Sequence, residues 1–384
     1  MKNRTAREII KPVILLVLII AAVPVLSWGA TTSGIVNDSD GAAITGDLNA
    51  NGDGMVNLLD DGGFLVGEEI FRGPDPIGAH SMPEGLLYDD FSAAPLDSTR
   101  WGTLEYARET ANEKLRLNVQ ADGNMESITI EPTEQTATYL ETKIIIENGS
   151  RVSSGARGHV RIAGYFYNEA GPPYYGNQND VWVSIRLELD ENHNLSGNCS
   201  LWRHDDPDPW GPGTELFRQN FPTPINFDVA HTLSIEQDGE TFIFQFNEHT
   251  YQYTVTTDMF APSNGQYRHF QSRVYADQGE SGYVKATLDD VYINDKMTAY
   301  DDFSSGPLDP NLWNVREVVR ETTDTETLRL TVHSEGERED SVMVFAEPQP
   351  YVEADVTISS DSEVFSGASG RTRIDGYFFN DTYG

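Results

Sequence analysis

The sequence predicts an all-β protein, an antiparallel sandwich of two sheets. Short runs rich in β-branched and aromatic residues follow one another from Lys114 to Ile293. Gly, Asn, Asp and Pro punctuate these runs, and no stretch keeps a helical period beyond two turns. A long internal repeat accompanies them: YDDFSAAPLDSTRW (88–101) returns 212 residues later as YDDFSSGPLDPNLW (300–313). That period is too long for a solenoid unit and fits whole domains in tandem.

Ten strands are legible in order: KLRLNV, TYLETKIII, HVRIAGYFY, VWVSIRLEL, CSLWRH, HTLSIEQ, TFIFQF, TYQYTVT, YRHFQSRVY and KATLDDVYI. Asp238-Gly239 between alternating runs signals a hairpin. ELDENHNLSGNCS (188–200) reads as a longer hairpin connection. The repeat also returns EKLRLNV (113–119) as ETLRLTV (326–332), and SGARGHVRIAGYFYN (154–168) as SGASGRTRIDGYFFN (366–380). The second copy stops at Gly384, so the sequence implies a fragment of a longer protein. The expected divisions are a signal peptide at 1–29, a loop segment and linker at 30–85, a sandwich at 86–296 and an incomplete second copy at 297–384.

The N-terminus carries Lys2, Arg4, Arg7 and Lys11 before an apolar run from Pro12 to Leu26. Ser27 and Gly29 sit at −3 and −1 of a cut before Ala30, the pattern of a cleaved secretory signal. Composition agrees with export. The 26 basic and 61 acidic residues give a net charge of −35, which repels nucleic acid and anionic membrane. Apolar residues at 38% and aromatics at 10% argue for packed cores rather than disorder. Cys199 is the sole cysteine, so no intrachain disulfide forms.

Residues 49–60, NANGDGMVNLLD, fit a twelve-residue calcium loop. Asn49, Asn51 and Asp53 take positions 1, 3 and 5, and Gly54 takes the turn at 6. The Met55 carbonyl is at 7, Asn57 at 9 and Asp60 at 12. Leu58, Leu59, Phe64 and Leu65 are then expected on the apolar face of a short helix. GDLNANGDGMVNLLD resembles a dockerin repeat, the calcium module of secreted bacterial proteins. The resemblance implies calcium as cofactor and a cohesin-type partner. Asn49 stands where the family's loop usually opens with Asp, which lowers the ligand charge. A solvated Asn/Asp/Gly linker is the alternative.

The opening DDFS…LD..W, the LRL and GYF strands and the closing LDDVYI resemble a concanavalin A-like lectin/glucanase domain, a jelly roll. That superfamily includes lectins, carbohydrate-binding modules, glycosidases and polysaccharide lyases. The resemblance implies that the first and last strands pair and that the concave sheet face is the ligand groove.

Strand alternation sorts the faces. On 159–167, His159, Arg161, Tyr165 and Tyr167 oppose Val160, Ile162 and Phe166. On 182–189, Trp182, Ser184, Arg186 and Glu188 oppose Val183, Ile185, Leu187 and Leu189. Ser200, Trp202 and His204 share a face, as do His269, Gln271, Arg273 and Tyr275. Aromatics and arginines on a face away from the core suit a sugar: rings stack on a pyranose and charged groups bond its hydroxyls. The candidate ligand residues are Arg161, Tyr165, Trp182, Arg186, Glu188, Trp202, His204, Gln271 and Arg273. The alternative is a second small core beneath loops.

A glycosidase needs two carboxylates. Glu188 and Asp190 are the candidate pair, resembling the start of the E-x-D-x-x-E signature of laminarinase-type glucanases, but the third acid is absent and Asp190 opens a turn. Arg161, Tyr165, His204, Gln271 and Arg273 are residue types a lyase uses. His204 with Asp205, Asp206 and Asp208 forms a candidate metal cluster or a solvated turn. Asp89 and Asp90 facing Asp289 and Asp290 form another. The sequence thus favours a secreted, non-catalytic, carbohydrate-binding bacterial protein, with a glycosidase or lyase and a structural adhesin or spacer as the other readings.

Overall fold

The structure, a computed structural model, describes residues 87–375 apart from 209–210, 264, 336–338, 348–351 and 361. It also describes the backbone of three short strands before them. These are β1 (Ala43–Ile44), β2 (Val56–Leu59) and β3 (Leu65–Val66), paired antiparallel in the order β1-β2-β3. Leu58 and Leu59 are therefore in a strand, not in the expected short helix. The signal segment, the other calcium-loop positions (Asn49, Asn51, Asp53, Met55 and Asp60) and the second GYFFN lie outside the described residues.

The compact unit spans Leu87–Pro348, so it runs past the boundary drawn at residue 296 from the repeat. Its strands are β4 (Tyr106–Ala111), β5 (Lys114–Asp122), β6 (Met125–Ile130), β7 (Tyr139–Ile146), β8 (Arg151–Val152) and β9 (Arg157–Asn168). β10 (Asp180–Leu189), β11 (Leu195–His204), β12 (Gly213–Asn220), β13 (His231–Asp238), β14 (Thr241–Phe246) and β15 (His249–Thr254) follow. β16 (Tyr267–Tyr275), β17 (Ser281–Val284), β18 (Ala286–Ile293), β19 (Val318–Thr322) and β20 (Leu328–Val332) complete it.

Two antiparallel sheets form, as the sequence predicts. One has the order β12-β11-β10-β9-β16-β6, and the other β15-β14-β13-β7-β18-β5-β4-β19-β20, with β17 and β8 branching from β5. All ten strands legible in the sequence are present, and Gly239 (φ +59°) turns the β13–β14 hairpin. Alternate residues of each sheet meet in one core. Val160, Ile162, Val183, Ile185, Leu187 and Phe270 from the first sheet are fully buried, as are Leu117, Leu140, Ile144, Ile235 and Phe244 from the second. Each such side chain contributes about 1.5–3 kcal/mol by leaving water.

The two copies of the opening motif fold alike. Trp101 Nε1 donates to Asp89 at 2.6 Å, and Trp313 Nε1 donates to Asp301 at 2.6 Å. Tyr88 meets Trp101 edge-on at 5.4 Å, and Tyr300 meets Trp313 edge-on at 5.4 Å. Their surroundings differ. Trp101 pairs with Phe345, beyond the second motif, whereas Trp313 pairs with Pro132 and packs on Phe270 of the first sandwich. Trp313, Phe303 and Leu308 belong to the first sandwich's core.

β4 and β19 pair antiparallel about Ala107 and Val319, residues 212 positions apart that correspond in the repeat. Contacts here are reciprocal. Arg108 Nε donates to the Arg316 carbonyl at 2.7 Å, and Arg320 Nε donates to the Leu104 carbonyl at 2.6 Å. Thr110 N donates to Glu317 at 2.7 Å, and Thr322 N donates to Glu105 at 3.2 Å. Arg116 and Arg329 both bond Glu109 and Glu321, two buried carboxylates. This is the pattern of an isologous interface, each side presenting the same patch, here within one chain.

The expected meeting of Asp89/Asp90 with Asp289/Asp290 does not occur. Asp89 accepts from Trp101 and the Phe91 amide, and Asp90 from Ser92. Asp289 faces Lys114 and Asp290 bonds Lys143. The acid beside the closing strand β18 is instead Asp301 of the second motif, bridged to Val291.

Candidate functional site

The outer face of the first sheet is a grid that follows from strand register. Reading across β11, β10, β9 and β16, one row is Trp202, Trp182, Tyr165 and Tyr267. The next is Ser200, Ser184, Ala163 and His269. The third is Asn198, Arg186, Arg161 and Gln271, and the fourth is Ser196, Glu188, His159 and Arg273. Rows are two residues apart along each strand, about 7 Å.

A β-bulge keeps the grid aligned. Val181 pairs with Tyr167 and Trp182 with Tyr165, so Phe166 is skipped. Tyr167 therefore turns inward, buried and stacked on Phe242 at 5.8 Å. This corrects the expectation that Tyr167 shares the face of Tyr165, because a bulge reverses the alternation. Gly213 on β12 makes room for the exposed Trp202: a Cβ there would lie 2.1 Å from the indole Nε1.

All nine candidate ligand residues come together on this face. Tyr165 meets Trp182 edge-on at 4.8 Å. The small second row lets Arg161 lean across it, and its guanidinium sits 5.0 Å from the Trp182 ring centre. His204 lies past the aromatic row, its Nε2 3.3 Å from the Tyr165 hydroxyl. Gln271 donates to Thr129 at 2.9 Å and Arg273 to the Tyr275 hydroxyl at 2.9 Å. Glu188 pairs with Arg186 at 3.0 Å and accepts from Asn198 at 3.0 Å.

The arginines of the third and fourth rows give the site its electrostatic character. Of the sixteen grid positions, only Glu188 is acidic. Arg161 and Arg186 are directly opposed on neighbouring strands. Like charges directly opposite one another across a strand pair destabilise a sheet. Burial, then Arg273 and Arg186, lower the Arg161 pKa. His159 and His269 are fully buried, and burial, then the neighbouring arginines, hold both well below the ordinary histidine range. They are neutral, so the arginines carry the positive charge.

Most buried polar side-chain atoms without a partner, among the described residues, lie here. They include His159 Nε2, Arg161 Nε, Arg186 Nε, both His269 nitrogens, Gln271 Oε1 and Arg273 Nε. Each costs about 1–3 kcal/mol when left unmade. Strand alternation places His159 and His269 on this face with Arg161 and Gln271, but nothing in the sequence shows that they are buried without partners. Tyr267 is a further aromatic of the same kind.

The other sequence candidates lie elsewhere. Asp190 has left the sheet face for the β10–β11 turn, where it accepts from the amides of Asn192 and Asn194 at 2.9 and 2.8 Å. It does not form a carboxylate pair with Glu188. Asp205 bonds Arg203 and Thr214, and Asp206 accepts from the Asp208 amide. Among the described residues no group of three His, Cys, Asp or Glu is arranged to hold a metal. A cleft of about 490 Å³ near the β4–β19 junction is lined by Ser98, Glu105, Gln120, Asp122 and Glu126 among others. Its polar groups bond one another, Ser98 to Asp122 and Glu105 to Gln120 and Thr322, so it lacks the unmet donors of the grid.

No family model and no curated protein matches the chain. Solved structures of distant sequence do. A GlcNAcα1-4Gal-releasing endo-β-galactosidase from Clostridium perfringens is 13% identical over 52% of this chain and 60% of that one, with a TM-score of 0.31. A laminarinase from Flavobacterium sp. UMI-01 is 12% identical over 52% and 97%, with a TM-score of 0.30. The carbohydrate-binding module CBM66 from Bacillus subtilis is 13% identical over 47% and 86%, with a TM-score of 0.24. Likenesses this distant assign neither substrate nor activity.

Proposed function

We propose that the chain is a non-catalytic, lectin-like protein that binds a polysaccharide or glycan on the outer face of the first sheet. The observation that carries this is the aromatic row beside a layer of buried polar atoms whose bonds the protein leaves unmade. Trp202, Trp182, Tyr165 and Tyr267 present ring surface for the apolar side of a pyranose, and the adjoining rows hold donors for its hydroxyls. Binding rather than hydrolysis is favoured because Asp190 is committed to a turn and Glu188 is the single acid of the grid, whereas a glycosidase needs two carboxylates flanking the bond it cleaves.

The proposal extends to the N-terminal segment on its sequence: export through a cleaved signal, calcium held by residues 49–60, and a cohesin-type partner for that segment.

A glycan array tests the binding. Wild type should retain at least one polysaccharide, and Trp182→Ala and Trp202→Ala should weaken it about tenfold or more. Reducing-sugar release and absorbance at 235 nm should stay at background. Release that disappears in Glu188→Gln makes the chain a hydrolase. An array with no signal leaves the sandwich a spacer.

A further inference from the structure

We infer that the saccharide bound on this face is anionic, carrying carboxylate or sulfate groups that sit against Arg161, Arg186 and Arg273. This deepens the carbohydrate reading above and rests on it. The chain holds 61 acids and 26 basic residues, yet three of its arginines stand together with a single carboxylate among them. Arg161 and Arg273 have no carboxylate partner among the described residues, and Arg186 shares Glu188. Arg161 and Arg273 are each 8% exposed and keep an unpartnered Nε. A fold selected only for stability would pair or dilute such a cluster, because like charges opposed across strands destabilise a sheet. The β4–β19 junction in the other sheet shows the chain doing so: Arg116 and Arg329 each contact two glutamates.

The grid also explains why the anion would belong to a sugar. The guanidinium rows run parallel to the aromatic row, and Arg161 spans the small row between them to reach Trp182. A ring stacked on Trp182 thus places an equatorial acidic substituent within reach of Arg161 and Arg186. Planar guanidinium groups suit carboxylate and sulfate oxygens, which accept two parallel bonds. His159 and His269 remain neutral beside them, so they bond hydroxyls without adding charge.

The full chain is titrated with polygalacturonate, dextran sulfate, neutral dextran and laminarin, and poly-glutamate as a polyanion that is not a saccharide. Polygalacturonate or dextran sulfate should bind, which of the two distinguishing carboxylate from sulfate. Affinity should fall as salt rises. Arg161→Gln and Arg273→Gln should each lower affinity tenfold or more while the melting temperature holds or rises, since removing one cation relieves its neighbours. A merely structural arginine behaves oppositely, its loss lowering the melt. Binding to neutral dextran or laminarin alone overturns the anionic inference and leaves the carbohydrate reading standing. No binding to any polymer overturns both. Equal binding of poly-glutamate overturns the assignment to a saccharide, and a lowered melt with full binding in both variants overturns the role of the arginines.

Discussion

Replacing Trp313 by Ala should damage the first sandwich more than any change on its outer face. The side chain is fully buried, 0% exposed, in the sandwich core, where it packs on Phe270, forty-three positions earlier, as well as on Tyr300 and Phe303 of its own motif. A buried tryptophan removes roughly 200 Å² from water, worth about 5 kcal/mol at 25 cal/mol per Å². Truncations of buried Phe or Trp to Ala cost about 3–5 kcal/mol. The indole also supplies a 2.6 Å bond to Asp301; losing it adds about 1 kcal/mol or more. A total near 5 kcal/mol should lower the melting temperature by about 10–15 °C in a unit of this size. Scanning calorimetry of the full chain measures it, with two internal comparisons. Trp101→Ala removes the equivalent side chain at 8% exposure, from contact with Phe345 rather than Phe270. Trp202→Ala removes an exposed ring and should move the melt by under 2 °C. If Trp313→Ala also stays within 2 °C of wild type, the second motif does not close the first sandwich.

Two further outcomes are expected. Burial raises the Glu321 pKa, but its bonds to Arg116 and Arg329 outweigh this and hold it below the ordinary glutamate value. A carboxyl depressed on folding stabilises above its unfolded pKa, about 4.3, and that contribution is lost as pH falls through the folded value. Glu321→Gln should therefore melt lower than wild type at pH 7, and the two curves should converge below pH 4; a gap of constant size would show that the charge is not responsible. Calcium titrated into the full chain should release or absorb heat that Asp60→Ala abolishes. Affinity should be low, because Asp53 and Asp60 are the only charged ligands in the loop; unchanged heat in the variant removes the loop as the site.

The sandwich and its outer face were legible because both depend on a period of two. Trp182, Ser184, Arg186 and Glu188 alternate with Val183, Ile185, Leu187 and Leu189, and nothing interrupts them. Tyr167 was misplaced because a one-residue bulge leaves no mark in composition. Arg268 is wholly buried, over the Phe166 ring at 3.4 Å and bonded to the Ala137 carbonyl, beside Gly164, where a Cβ would lie 2.0 Å from the Tyr267 carbonyl oxygen and 3.1 Å from Arg268 Cδ. β4, β6 and β12 escaped notice because YARETA, MESITI and GTELFRQN carry charge at positions where a two-sided strand would be apolar. Two of these lie at or near a sheet edge, where such residues discourage further pairing. The burial of Trp313 was beyond local reading, since its partners Pro132 and Phe270 are fixed by tertiary packing rather than by anything in YDDFSSGPLDPNLW.

The reciprocal junction between β4 and β19 sets a timetable for the nascent chain. When Asp295 leaves the ribosome, the strands β4 to β18 have all been made, but the partner of β4 and the tryptophan that plugs the core have not. At about 5–20 residues per second, residues 296–332 take roughly 2–7 seconds more. During that interval β4 is an open edge, and an open edge recruits whatever strand matches it. The best match is a strand of its own repeat, because its proper partner is the equivalent strand 212 residues on. Two chains folding side by side therefore offer each other the same contacts that each makes within itself. Refolding at low concentration should favour closure within a chain, and refolding at high concentration should yield dimers exchanged through β4.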